Sequence, residues 1–469
     1  MTGVSIYLEI QSAVESDNAV AMTTDRGSWT FREILIAAER FCETVLNRRA
    51  DSAPVVACMS DAAARVIVTL ACDLAEVPLV HADPAAQTWS CGLLVCDDLT
   101  DQPESGQEWE LPSTPRLWVH CRPQPQWPLG TLGKAHIFLT SGSTGVPSAI
   151  VRLADAVLAD AHRVAGALGY RPGARVLVSA PAFHAYGFNY GLIAPLLYRM
   201  PVHYCDPQAI PSRLARGVRD HEAELLVGLP SQYRLIADST DHGLTGGFES
   251  LTRAVSAGAP LSARTRSVIG ARREFALYNC YGSSEAGAVT LGVATEEQAA
   301  DDAGPPLPGV EVSLAQATDP GQHAELLIRG SSLAAGYVGA GGLVPLRDAE
   351  GWYRTGDLGE IRDGRLHLLG RCRNLINVAG KKVSPLQIER VLADHPAVAD
   401  VQVTALADDV RGQIPVARVV PLGDVTVSQL VEWCRQRLAS YEMPRRIELV
   451  PGLPRSATGK ILDIGMGRS

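Results

Sequence analysis

Phe138-Leu-Thr-Ser-Gly-Ser-Thr-Gly-Val-Pro147 sets four hydroxyl side chains around two glycines, after the apolar lead-in His136-Ile137 and before the apolar pair Ile150-Val151. A loop of this composition between two strands wraps phosphate. Gly142 and Gly145 let backbone N–H groups approach an anion, and Thr140, Ser141, Ser143 and Thr144 add hydroxyl donors. The stretch lacks the G-x-x-x-x-G-K-[ST] spacing of a Walker loop, so it belongs to a different phosphate-binding architecture.

Outward from this loop, the pattern alternates between short apolar strands and amphipathic helices. Leu153, Val157, Ala161, Val164 and Leu168 recur at helical spacing and predict one helix with an apolar face. Arg175-Val-Leu-Val-Ser-Ala-Pro181 and Glu224-Leu-Leu-Val-Gly-Leu-Pro230 predict buried strands that end in loops. The alternation reads as α/β. After about residue 370 the pattern tightens to a helix from Ser384, strands at Asp400–Leu406 and Ala417–Val420, and a helix at Val427–Ser440. This predicts a large N-terminal domain of mixed sheets and helices (1–370) and a small hinged α+β C-terminal domain (371–469). Gly370-Arg-Cys-Arg-Asn374 is the expected hinge.

Composition narrows the function. A length of 469 residues with 46% hydrophobic and 20% charged residues supports large buried cores. The formal net charge of -9 speaks against a nucleic-acid or anionic-membrane partner. Ten cysteines lie scattered from Cys42 to Cys434 with no zinc-type spacing. A reducing, cytoplasmic setting is expected, since no secretory leader or span of bilayer length is found. The lysines are Lys134, Lys381, Lys382 and Lys460, with arginine supplying the other positive charge. A lysine kept against that background draws attention to its compact ammonium.

Further motifs follow in order: Ser256-Ala-Gly-Ala-Pro260, Tyr281-Gly-Ser-Ser-Glu285, Tyr353-Arg-Thr-Gly-Asp-Leu358, Gly370-Arg-Cys-Arg373 and Pro454-Arg-Ser-Ala-Thr-Gly-Lys460-Ile461. Together with the hydroxyl-rich loop, this succession resembles the ANL superfamily of acyl-CoA synthetases, adenylation domains and luciferases over nearly the whole chain. That family's phosphate loop usually continues Lys-Gly, where this chain has Ser148-Ala149, so a cation near the departing pyrophosphate is missing.

The resemblance implies an AMP-forming acid–thiol ligase that uses ATP and Mg²⁺. Thr140, Ser141, Gly142, Ser143, Thr144 and Gly145 would hold phosphates, and Gly258, Ala259, Pro260, Asn279, Tyr281 and Gly282 would lie along the nucleotide. Ser284 would contact the α-phosphate and Glu285 would help hold Mg²⁺. Asp357 would accept from the ribose hydroxyls, with Arg371 as a second nucleotide contact. Lys460 would bridge the acid's carboxylate and the α-phosphate, compensating charge as the bond forms. Arg373 would mark the hinge, and Gly380, in Val378-Ala-Gly-Lys-Lys382, a thiol tunnel.

Pro181-Ala-Phe-His-Ala-Tyr-Gly-Phe-Asn189 resembles the pocket segment of acyl- and aryl-CoA ligases, and His184 is the candidate gate of the carboxylate site. Tyr186, Asn189, Gly228, Cys280 and Ser283 are further candidate wall residues. No Asp stands between Pro181 and Gly191 to bind an α-ammonium, which disfavours an amino acid and leaves an aryl or short acyl acid as the expected substrate. The thiol would be coenzyme A or a separate pantetheinylated carrier protein, because the chain runs only nine residues past Lys460. Two other readings fit the motifs. One is adenylation of nitrite or another oxyanion for attack by an amine in natural-product biosynthesis, and the other is a degenerate nucleotide-binding protein.

Overall fold

The computed structural model describes residues 4–14, 18–49, 53–84, 93–97, 106–109, 117–121, 132–140, 148–239, 247–272, 275–295, 298–299, 301–315, 323–339, 341–455 and 461. Among these, the strands form four sheets. The first runs in the order Gly287–Val293, Ala276–Ser283, Arg253–Ser256, Leu225–Gly228, Val176–Val178, Val202–Tyr204, Val20–Thr24, Gly27–Thr30. Its inner pairings are parallel and its two outer ones antiparallel. The second is nine-stranded and includes Leu79–His81, Ala135–Thr140, Ser148–Leu153 and Gly336–Gly339 as consecutive neighbours.

One apolar core joins the facing sides of these two sheets. Val55, Leu79 and Phe138 of the second sheet and Val176, Val227 and Val255 of the first share it with helices Phe31–Thr44, Ala62–Leu74 and Ala154–Leu168. Burying hydrophobic side chains of this size stabilises by roughly 1.5–3 kcal/mol each. The predicted face at Val157, Ala161, Val164 and Leu168 is the buried one, with exposure of 1% or less at each. Helix Ala154–Leu168 ends at Gly169 in the left-handed conformation (φ 63°), which a Cβ would strain. The opposite face of the first sheet carries a second core, where Leu177, Leu226, Ala254 and Leu277 meet Leu214, Tyr233 and Ile269 of the outer helices. The predicted strands at 175–181 and 224–230 are Val176–Val178 and Leu225–Gly228, adjacent and parallel.

Strands Ala324–Gly330, Tyr353–Arg362 and Arg365–Arg371 lie in the third sheet, with Val310–Leu314 and Asp302–Gly304 at its edges. The fourth sheet pairs Val398–Asp408 with Gly412–Pro421 and packs on helices Pro385–Ala393 and Val427–Arg435. The second helix stops five residues short of the expected Ser440. The chain turns there so that Arg446–Leu449 lies parallel to Gly412–Pro421, while Leu438 still reaches the core. Ser384 stands at the N-terminal boundary of helix Pro385–Ala393, and its hydroxyl donates not to the helix but to the Leu369 carbonyl at 2.7 Å. Arg390 of that helix donates to the Leu368 carbonyl at 2.6 Å. Gly370 sits where a Cβ would come within 2.4 Å of the Ser384 hydroxyl, so this approach requires glycine.

Candidate active site

The parallel strands Leu225–Gly228, Arg253–Ser256 and Ala276–Ser283 end side by side, with Gly228 opposite Ser256 and Ser256 opposite Asn279. Open α/β sheets bind ligands beyond such carboxyl ends. Ser256 is fully buried and its hydroxyl lacks a partner among the described residues. The chain then turns through Gly258 at φ +93°, Ala259 and Pro260.

The last of these strands runs into the motif Tyr281-Gly-Ser-Ser-Glu. Ser284, Glu285 and Ala286 form the turn of an antiparallel hairpin whose return strand is Gly287–Val293. Each carbonyl of the turn has its own donor. Arg152 Nη1 reaches Ser284 O at 3.4 Å, Ala334 N reaches Glu285 O at 2.7 Å, and the Ser332 hydroxyl reaches Ala286 O at 2.8 Å. The Ser283 hydroxyl accepts from Ala286 N at 3.1 Å, so this candidate wall residue closes the turn instead. Gly282 is obligatory as well, since a Cβ would lie 2.2 Å from Gly287 O.

Glu285 is half-buried, and its Oε1 accepts from the Tyr337 hydroxyl at 3.1 Å. Burial, then the Glu285 charge, pushes the Tyr337 phenol up to about 12, which keeps it a proton donor. The second carboxylate oxygen makes no hydrogen bond among the described residues and is a hard donor of the kind Mg²⁺ takes. The donor set therefore fits one protein ligand, with phosphate oxygens and water completing the shell.

Asp357, 7% exposed on strand Tyr353–Arg362, brings two predicted contacts together. Its Oδ2 accepts from the Tyr281 hydroxyl at 2.7 Å and its Oδ1 from Arg371 Nε at 2.8 Å. Arg371 faces Asp357 across the antiparallel pair, and its side chain is largely exposed. Burial first, then the Asp357 charge, raises the Tyr281 phenol far above its ordinary range, so the hydroxyl donates.

On the acyl side, His184 precedes the helical turn Ala185–Phe188, half-buried, with its ring 4.5 Å from that of Phe183. Gly187 lets this turn approach Pro181, whose carbonyl oxygen would lie 2.3 Å from a Cβ. A π-helical turn, Asn189–Ile193, follows, an irregularity common at functional sites. The Tyr186 hydroxyl is shared between the carbonyls of Gly228 at 3.0 Å and Val255 at 2.8 Å, which ties it to the strand ends. Two wall assignments become packing positions. Asn189 is 3% exposed and spends its amide on Val157 O and Asp160. Cys280 is buried in the main core on the strand face opposite Asn279, because successive strand residues alternate. Burial raises its thiol.

Thr140 ends strand Ala135–Thr140 and faces Ser148 across the antiparallel pair, its hydroxyl 3.3 Å from Ser148 O. Ser141, Gly142, Ser143, Thr144 and Gly145 lie outside the described residues, as does Lys460. Arg373 lies in the exposed 3-10 turn Cys372–Asn374. Gly380 and Ala379, at φ +86° and +48°, form a two-residue hairpin turn of the primed type between Val378 and Lys381. The Lys381 ammonium sits 4.2 Å from the Tyr441 ring centre, a cation–π contact.

Three residues of this region escape a motif-based reading: Tyr337, Arg152 and Asp160. The last two form an ion pair of 3.3 Å, 2% and 1% exposed. Asp160 also accepts from Asn189 at 2.9 Å and from Ala288 N at 2.9 Å. A signal was available, since Asp160 lies between Val157 and Val164 on the apolar face of its helix, where a carboxylate needs a buried partner.

Residues 41–338 match the family model of the AMP-binding enzyme, and residues 387–460 that of the AMP-binding enzyme C-terminal domain. The chain is 34% identical over 318 residues to the 2-succinylbenzoate–CoA ligase of Escherichia coli (strain K12), covering 67% of this chain and 64% of that one. To the enzyme of the same name from Bacillus subtilis (strain 168) it is 27% identical over 334 residues, covering 70% and 67%. In three dimensions it resembles the o-succinylbenzoate CoA synthetase of Bacillus subtilis in complex with its acyl-adenylate intermediate. That similarity has a TM-score of 0.77 at 21% identity, over 100% of this chain and 98% of the other.

Proposed function

This chain belongs to the AMP-binding enzyme family, and from that premise we propose that it activates an aryl or short acyl carboxylic acid with ATP and passes the acyl group to a thiol. The observation that carries the reading is the meeting of Tyr281, Asp357 and Arg371 on the strand end that also bears Ser284 and Glu285. Two stretches far apart in sequence, the end of strand Ala276–Ser283 and the hairpin of residues 353–371, converge there on groups suited to a nucleotide. The aryl preference is supported by the relatives named for 2-succinylbenzoate and by the aromatic pair Phe183-His184.

In the first half-reaction, a carboxylate oxygen of the acid attacks the α-phosphorus, the bond to the bridging oxygen breaks, and pyrophosphate leaves. Asp357 accepts from the ribose hydroxyls with the lone pairs that Tyr281 and Arg371 do not use. Ser284 donates to the α-phosphate. Glu285, its rotamer held by Tyr337, offers its other oxygen to Mg²⁺, which neutralises phosphate charge when bound. Lys460, by its motif, would bridge carboxylate and α-phosphate and compensate the charge of the transition state. His184 lines the acid's carboxylate site.

In the second half-reaction the thiol attacks the acyl carbon and AMP leaves. The domain from residue 371 onward turns about Arg373, and the Ala379-Gly380 turn then lies by the incoming thiol arm of coenzyme A or a carrier protein. Glycine at the tip, with open space where a Cβ would stand, gives that arm room.

The test is AMP release from ATP with a panel of acids, with and without coenzyme A. Release that needs both an acid and a thiol supports the proposal. Release with nitrite and an aryl amine, without any thiol, assigns the oxyanion reading instead. ATP binding with no release under any condition assigns the degenerate one.

A further inference from the structure

The turn Ser284–Ala286 rests on a buried charge that none of the nucleotide-contacting motifs contains. Arg152 Nη1 donates to Ser284 O, while Nη2 is shared among Ser332 O at 3.1 Å, Ala156 O at 3.3 Å and Asp160 at 3.3 Å. Asp160 holds the far side of the same turn through Ala288 N. Gly287, between them at φ +73°, has no room for a Cβ, which would lie 2.7 Å from the Asp160 carboxylate. Ser332 closes the arrangement through its hydroxyl on Ala286 O. Both arms of the hairpin and the adjoining loop are thus fixed to one ion pair on strand Ser148–Leu153 and helix Ala154–Leu168.

A buried ion pair is a poor device for stability, since desolvating both charges offsets most of their attraction. Its worth here lies in direction. A guanidinium presents several donors in a rigid plane and holds carbonyls of two separate loops at a fixed separation.

We infer that Arg152, paired with Asp160, is a positioning residue that fixes the Ser284–Glu285 turn at the distance the ATP phosphates and Mg²⁺ require. This rests on the proposed role of that turn in binding ATP. Misplacement of a reacting group by about 1 Å costs on the order of 100-fold in rate.

The decisive variant is the double substitution Arg152→Met/Asp160→Asn. It removes the charge and all of Arg152's carbonyl bonds together, leaving no lone buried ion. The amide oxygen that replaces Asp160 Oδ1 still accepts from Ala288 N, while the new N–H₂ takes the place of Oδ2 and faces the Asn189 N–H₂, so the Asn189 amide must turn its oxygen toward it and release Val157 O. The double variant is expected to melt cooperatively but below the wild type, because Ser284 O and Ser332 O lose their donor. Its Mg²⁺-dependent ATP affinity by calorimetry should weaken about tenfold and the adenylation kcat fall roughly 30-fold or more, with KM for the acid within about twofold. A folded variant with ATP affinity and kcat within about threefold of wild type overturns the inference.

If the double variant does not fold, Ser332→Ala carries the test. It removes the hydroxyl that donates to Ala286 O and accepts from Arg163 Nη1 at 2.7 Å, which loosens the Ala286 end of the same turn, and is expected to lower kcat about fivefold at constant acid KM. Unchanged kcat in that variant counts against the inference. Wild-type protein without acid-dependent turnover would sink the proposed reaction, while calorimetry with Mg²⁺ and ATP would still judge the positioning role.

Discussion

Tyr281 and Asp357, 76 positions apart in the chain, meet through a hydrogen bond of 2.7 Å between the phenol and Oδ2. With Arg371 on Oδ1, the carboxylate is oriented before any nucleotide arrives. Removing Asp357 leaves a buried phenol without its acceptor and an arginine without its partner. Asp357→Ala is expected to lower kcat/KM for ATP by about 100-fold, and Tyr281→Phe by about tenfold, since a hydrogen bond to a charged group is worth about 1.5–3 kcal/mol. Steady-state kinetics with ATP as the varied substrate checks both values.

Gly287→Ala should be costly beyond the usual effect of a methyl group. The Cβ would strike the Asp160 carboxylate at 2.7 Å, and the residue stands at φ +73°. A left-handed non-glycine residue alone costs on the order of 1–3 kcal/mol. Chemical denaturation should report a loss of about 2 kcal/mol or more. A variant of wild-type stability would mean that the Asp160 contact yields without cost.

Ser148 marks the departure from the family's phosphate loop. It is exposed at the start of its strand, across from Thr140. Ser148→Lys should restore a cation at the mouth of the loop and lower KM for ATP by roughly fivefold, the equivalent of about 1 kcal/mol for a solvent-screened charge pair. The gain should shrink as salt is raised. Kinetics at two ionic strengths is the check.

The buried pair His81 and His136, 3.2 Å apart and stacked among Phe138 and Phe188, predicts a pH limit. Burial holds both imidazoles below their ordinary range, His136 at about 4. The folded protein keeps both neutral, whereas the unfolded chain takes up protons near pH 6.5. Stability is therefore full above about pH 6.5 and is lost as pH falls from there toward 4, by an amount on the order of a few kcal/mol. Urea melts at pH 7.5 and 5.0 should separate. The double variant His81→Phe/His136→Leu should narrow the difference, leaving the share of His203, whose imidazole burial also lowers to about 4.

The sequence carried the α/β class and the helix face at 157–168, because periodicity is a local property; it named Asp357 and Arg371 separately, and their pairing appears only once the two strands lie side by side. It carried the end of the Val427 helix poorly, since a strand further along the chain, Arg446–Leu449, forces that turn. Side-chain direction was also hidden. Adjacent Asn279 and Cys280 were both site candidates, one along the nucleotide and one in the acyl wall, yet strand pairing sends them to opposite faces. Arg152 and Asp160 were missed for the same reason, because their role exists only where the hairpin folds back onto them.

Acid-dependent exchange between pyrophosphate and ATP, run over aryl, short acyl, fatty and amino acids with Lys460→Ala alongside, isolates the adenylation step. Exchange is expected with aryl or short acyl acids, falling by about 100-fold or more in the lysine variant. Exchange that is absent with every acid, or that survives unchanged in Lys460→Ala, would contradict the proposed adenylation.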